Sequence, residues 1–184
     1  PTDPAYENIL ANPGFESGAT GWSSNVEATV RTSSPVAYEG TNYFFAAANE
    51  EGFAQQTFLF EDLGLTDSEV DDQDMEMIFG GRIRAAAETL VDRGEVSLVF
   101  LDGAGNTITT VLAKATNVND RWELVGGRAD IPRHARSVIF RFTALRETGT
   151  NADAYLDQAF LYLVSEMASY TTGSCLTVDG GMLT

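Results

Sequence analysis

Apolar and polar residues alternate along most of this chain with a period of two, and no window sustains a helical period. Ser137 to Leu145 is the clearest case. Val138, Phe140 and Phe142 fall on one side, and Ile139, Arg141 and Thr143 on the other. Gly52 to Phe60 repeats the pattern, with Phe53, Gln55, Thr57 and Leu59 opposed to Ala54, Gln56, Phe58 and Phe60. Further strands are expected at 26–30, at the end of 37–46, and at 75–86, 95–102, 107–112, from Trp122 onward and at 154–163. Ser33-Ser34-Pro35, Ile131-Pro132 and Gly149 to Asp153 interrupt them. Gly103-Ala104-Gly105-Asn106 joins 95–102 to 107–112 as a hairpin. Residues 61–74 are strongly acidic and read as a long loop. Residues 85–92 contain good helix formers in too short a run. Many short strands with glycine-rich turns predict an all-β protein, an antiparallel β-sandwich.

Near the start, Asn8-Ile9-Leu10 reads as a short apolar strand followed by Asn12-Pro13-Gly14, a tight turn. Pro13 presets φ, and Gly14 permits a positive one. Phe15 and Trp22 flank the turn and are expected to cap one end of the core. Glu16 stands between them. A carboxylate in an apolar setting needs an arginine, backbone N–H groups or a cation.

The 184 residues and 43% hydrophobic content supply one core, and the length favours one domain. Charge narrows the partners. With 27 acidic against 11 basic residues, the formal net charge of -16 repels nucleic acid and anionic membranes and suits cations. No apolar run approaches the ~20 residues that span a bilayer. Cys175 is the only cysteine, so no internal disulfide forms. The opening Pro1-Thr2-Asp3 fits a processed mature chain. His134 lies in Arg133-His134-Ala135-Arg136 without a nearby nucleophile, and reads as an exposed loop histidine.

The run Asn12-Pro13-Gly14-Phe15-Glu16, then Gly21-Trp22, resembles the opening of the galactose-binding-like jelly rolls used by many carbohydrate-binding modules. A Gly-small-Tyr segment at 40–43, Trp122-Glu123-Leu124-Val125, Ile131-Pro132 and Asn151 to Ala159 extend the likeness, with Gln158 in place of the usual Asn. It covers residues 8–163, leaving an N-terminal arm at 1–7 and a tail at 164–184. The tail resembles the end of short-chain dehydrogenases, through Tyr170-Thr171-Thr172-Gly173 and Leu176-Thr177-Val178-Asp179-Gly180-Gly181. That family's nucleotide loop and catalytic Tyr-Lys pair have no counterpart here. Residues 170–178 are β-prone and expected to pair with an open sheet edge, of this chain or of a neighbour.

The jelly-roll resemblance implies a structural Ca²⁺ held by Glu16, the loop containing Gly40 and Asn42, and Asp157. The competing reading has Glu16 capping backbone N–H groups and Asp157 starting a turn. For sugars, aromatic platforms are needed. The candidates are Tyr38, Tyr43, Phe53 and Trp122, although alternation does not say which strand face is inside. Two functions follow. One is an extracellular or cell-surface, non-catalytic module, stabilised by calcium, that binds a polysaccharide or glycan. The other is a structural subunit of a surface layer, appendage or filament, joined through the terminal segments.

Overall fold

The computed structural model describes residues 7–25, 29–115 and 121–165. The elements are β1 (Ser23–Ser24), β2 (Thr29–Arg31), β3 (Tyr43–Phe45), β4 (Glu51–Leu59), α1 (Asp67–Asp71), β5 (Met75–Ala85), β6 (Arg93–Leu101), β7 (Thr107–Lys114), β8 (Glu123–Asp130), β9 (Ser137–Leu145) and β10 (Ala154–Ser165). They form two antiparallel sheets of five strands each. The front sheet has the order β1-β4-β9-β6-β7, and the back sheet β2-β3-β10-β5-β8.

Alternation decides what each sheet buries. In the front sheet, Ala54, Phe142 and Val96 share one cross-strand row, and Gln56, Phe140 and Leu98 the next. All of these face inward and are buried. The back sheet answers with Phe44, Met77, Phe79, Ile83, Leu156 and Leu161. Phe44 and Phe142 meet edge to face across the sandwich, their centroids 5.9 Å apart. Burying aromatic and branched side chains of this size supplies about 1.5–3 kcal/mol each.

The N-terminal turn closes one end of this core. Phe15 is fully buried, stacked on Trp22 at 4.8 Å and tilted against Phe44 at 5.8 Å. Ile9 N donates to Leu161 O at 2.9 Å, so the segment before the turn runs beside β10.

Residues 61–74 are not a loop throughout. Thr66 and Glu69 make a capping box, each side chain bonding the other's backbone N–H, and α1 follows. Val70 docks it into the core. Residues 86–91 form no helix.

A second, smaller apolar cluster lies on the outer side of the back sheet: Tyr43, Phe45 and Tyr155, with Ala37 and Trp122 packed against them. The chain covers it with its own loop, residues 32–42. Tyr43 Oη donates to Ser33 O at 3.1 Å, and Trp122 Nε1 donates to Val36 O at 3.0 Å. Arg31 closes the side, its guanidinium carbon 3.7 Å from the centroid of Phe45. β10 continues to Ser165, two residues past the expected end of the domain. The strand expected at 170–178, and Val26 to Ala28 of the second strand, lie outside the described residues.

Candidate functional site

Two places carry the chemistry that the sequence points to. One is where the N-terminal turn, the loop before β3 and β10 converge. The other is the outer face of the front sheet.

At the first, Asn12 organises the turn. Its side chain donates to Gly18 O and Thr20 O, and accepts from Ser17 N. This presents Glu16 towards the loop. Glu16 Oε1 accepts from Thr41 N at 2.9 Å and Asn42 N at 2.8 Å, and Oε2 accepts from Thr41 Oγ1 at 2.9 Å. The Asn42 and Thr41 N–H groups hold its carboxyl below the usual range. Glu16 is exposed, so the apolar setting expected for it is not found. The neighbouring aromatic rings turn inward while its side chain points out to the loop. Asn42 Nδ2 returns a bond to Phe15 O at 3.0 Å. Gly40 has a φ of +65°, and a Cβ there would lie 2.4 Å from Glu16 Oε1. Only glycine lets the loop pass so close.

Asp157 sits beneath the same loop at 0% exposure. Its Oδ2 accepts from Tyr38 N at 2.8 Å and Glu39 N at 3.2 Å, and its Oδ1 accepts from Gln158 N at 2.7 Å. Burial pushes this carboxyl up to about 6, and the negative charge of Glu16 adds to the effect. None of the ion pairs among the described residues involves it. Alternation along β10 places Asp157 on the same outer face as Tyr155, under the loop, and the register with β5 shifts only beyond it, between Asp157 and Phe160.

The arrangement brings together the four residues assigned to a metal, Glu16, Gly40, Asn42 and Asp157. Each carboxylate is already met by backbone N–H groups, as the capping reading expects. No group of three or more His, Cys, Asp or Glu side chains gathers among the described residues. A cation here would therefore draw on carbonyl and amide oxygens as well. Two carboxylates, one of them buried without a cationic partner, and the Asn42 amide oxygen are hard donors. That chemistry fits Ca²⁺.

The four aromatic candidates do not converge. Tyr43 is fully buried in the second cluster, edge to face with Trp122 at 5.7 Å and Tyr155 at 5.3 Å. It is no sugar platform, because the loop at 32–42 closes over it. Trp122 is half-buried against it, with its indole N–H committed to Val36 O. Tyr38 is 45% exposed and stands over the back sheet, with the Arg82 guanidinium 4.3 Å from its centroid. Phe53 alone lies on the front sheet. There Arg141 places its guanidinium carbon 4.7 Å from the Phe53 centroid, and Arg141 Nε donates to Gln55 Oε1 at 2.8 Å. In the next row, Phe53, Thr143, Glu95 and Lys114 stand side by side across four strands. Lys114 Nζ pairs with Glu95 Oε1 at 2.9 Å. Arg141, Gln55 and Lys114 were not among the residues singled out from the sequence. Their only signal was a shared strand face with Phe53, and pairing register is invisible in one chain.

His134 is exposed, as expected, with Nδ1 3.4 Å from Asp71 Oδ2. No helix among the described residues is long and apolar enough to cross a membrane.

No protein-family model and no curated protein matches the chain. Solved structures do. A family 16 carbohydrate-binding module superimposes with a TM-score of 0.61 at 17% identity, over 84% of this chain and 99% of that one. The C-terminal family 22 carbohydrate-binding module of Clostridium thermocellum Xyn10B gives 0.57 at 18% identity, over 88% and 96%. The enzymatically active domain of tailspike protein 4 from bacteriophage CBA120 gives 0.62 at 13% identity. That match covers 85% of this chain, which spans only 21% of the tailspike chain. The fold is the jelly roll of carbohydrate-binding modules.

Proposed function

We propose that this chain is a non-catalytic glycan-binding module working outside the cell or at its surface, with the glycan on the outer face of the front sheet. The observation that carries the reading is the group on that face: Phe53 as an apolar platform, with Gln55 and Arg141 beside it as hydrogen-bonding groups. Sugar sites combine these two chemistries, an aromatic surface and a few placed polar groups. Solved modules of this fold support it, one of them in complex with β-1,4-galactotriose and another described as a xylan-binding domain. Affinity electrophoresis against a panel of soluble polysaccharides tests it. Retardation by at least one, lost in Phe53→Ala and kept in Tyr38→Ala, is the expected result. No retardation by any of them, or loss only in Tyr38→Ala, overturns this placement.

The same proposal includes a structural Ca²⁺. Glu16, Asp157 and oxygens of the loop containing Gly40 and Asn42 would hold it, and it would offset the buried charge of Asp157. A ligand that binds only the folded state stabilises it by mass action. Chelation is therefore expected to lower the melting temperature, and Glu16→Gln to remove the response to added calcium. A melting temperature indifferent to chelator leaves backbone capping as the whole role of these carboxylates.

One observation favours the structural-subunit reading. β7 is an edge strand of eight residues whose sequence, Thr-Ile-Thr-Thr-Val-Leu-Ala-Lys, holds one charge, with Ile108 39% and Leu112 45% exposed. Such edges recruit further strands. A concentration-dependent assembly in size-exclusion chromatography would support that reading, and a monomer would count against it.

A further inference from the structure

Arg141 occupies the middle strand of the front sheet, between Gln55 on β4 and Ser97 on β6. Two contacts fix its orientation: the bond from Nε to Gln55 Oε1 at 2.8 Å, and the stacking of its guanidinium against Phe53. Both engage the near side of the group. Its two terminal nitrogens have no hydrogen bond or ion pair among the described residues. Arg93, Lys114, Arg128, Arg136 and Arg146 each have a carboxylate partner. The nearest acidic row on this face offers Glu95, but Glu95 is engaged by Lys114 at 2.9 Å and lies 4.0 Å from Arg93.

A guanidinium held this way presents a planar fork of donors, and the acceptor that matches such a fork is a carboxylate, bound in bidentate fashion. The electrostatic setting agrees. Of the cations on the strands of this face, Arg93 is met by Glu147 and Lys114 by Glu95, which leaves Arg141 as the one without a carboxylate partner among the described residues. Charges farther away than the Debye length of about 8 Å at physiological salt are largely screened, so the local balance governs a bound anion.

We propose that Arg141 anchors a carboxylate and that the ligand is therefore an acidic glycan, one carrying uronic acid residues, with a sugar ring against Phe53. This rests on the assignment of the front face to glycan binding. The test is calorimetric titration of the intact chain with three probes: a xylo-oligosaccharide, the same oligosaccharide bearing a glucuronic acid branch, and the methyl ester of that branched compound. The ester keeps the size of the branch and removes its charge. The expected result is binding of the acid at least tenfold tighter than of the ester and the unbranched chain. Arg141→Gln should equalise the three, and Arg141→Lys should restore part of the preference, since a point charge replaces the fork. Equal binding of acid and ester by the unaltered protein overturns the acidic ligand and leaves the glycan face standing. Binding of none of the three, together with no retardation on the polysaccharide panel, overturns both. The comparison of acid with ester needs no variant, so it holds even if Arg141→Gln fails to fold.

Discussion

At the scale of single residues, the two glycines at 40 and 64 separate backbone strain from contact. Both have left-handed φ, +65° and +84°. A Cβ at Gly64 meets nothing within 4 Å, while one at Gly40 drives into the Glu16 carboxylate. Gly64→Ala is expected to cost about 1 kcal/mol from backbone strain alone. Gly40→Ala should cost about 2 kcal/mol or more, because it also dislodges Glu16 from two backbone N–H groups. Urea unfolding midpoints of the two variants check this, and equal losses would mean that the Glu16 contact contributes little. The sequence marked Glu16, Gly40, Asn42 and Asp157 through a motif, and the fold does assemble them. It could not mark Arg141 or reject Tyr43. Both judgements depend on which side of a strand faces inward, and on what covers the outer side. Tyr43 and Phe44 are adjacent residues of one strand and belong to different clusters.

At the scale of elements, the long strands were legible because each carries a full alternation. β9 has the expected limits, Ser137–Leu145, and β4 keeps its two expected faces, of which the one with Ala54 and Gln56 turns inward. α1 was missed because its five residues are too short to show a period, and its capping box lay hidden in an acidic run. Its docking is electrostatic as well as apolar. Asp71 Oδ1 accepts from Arg136 Nη1 at 3.1 Å and from His134 N at 2.8 Å. The Arg136 bonds, and then the His134 N–H, hold the Asp71 carboxyl down to about 2. A depressed carboxylate stabilises the fold fully above its ordinary range near pH 4, and that stabilisation disappears as the pH falls towards 2. Asp71→Asn should therefore be less stable than the unaltered chain from pH 4 upward, with the gap closing by about pH 2. A gap independent of pH would assign the loss to packing instead.

At the scale of the whole molecule, one sign of charge dominates. With -16 spread over 184 residues, like charges repel in the compact state, and screening relieves them. The melting temperature is expected to rise with added NaCl between low and physiological ionic strength. A steady fall would mean that ion pairs such as Arg93–Glu147 outweigh the general repulsion.

The cluster closed over by residues 32–42 gives this molecule a back, and the chain's single lysine, Lys114, belongs to the front. Its side chain is 52% exposed, in the row that contains Phe53. Apart from the terminal amine, amine-directed coupling to a sensor chip or bead has only that lysine to use. A protein fixed in this way presses the proposed ligand face to the support and is expected to capture nothing. The same protein held through a biotin placed at Leu124, 58% exposed on the back sheet, keeps that face turned to solution.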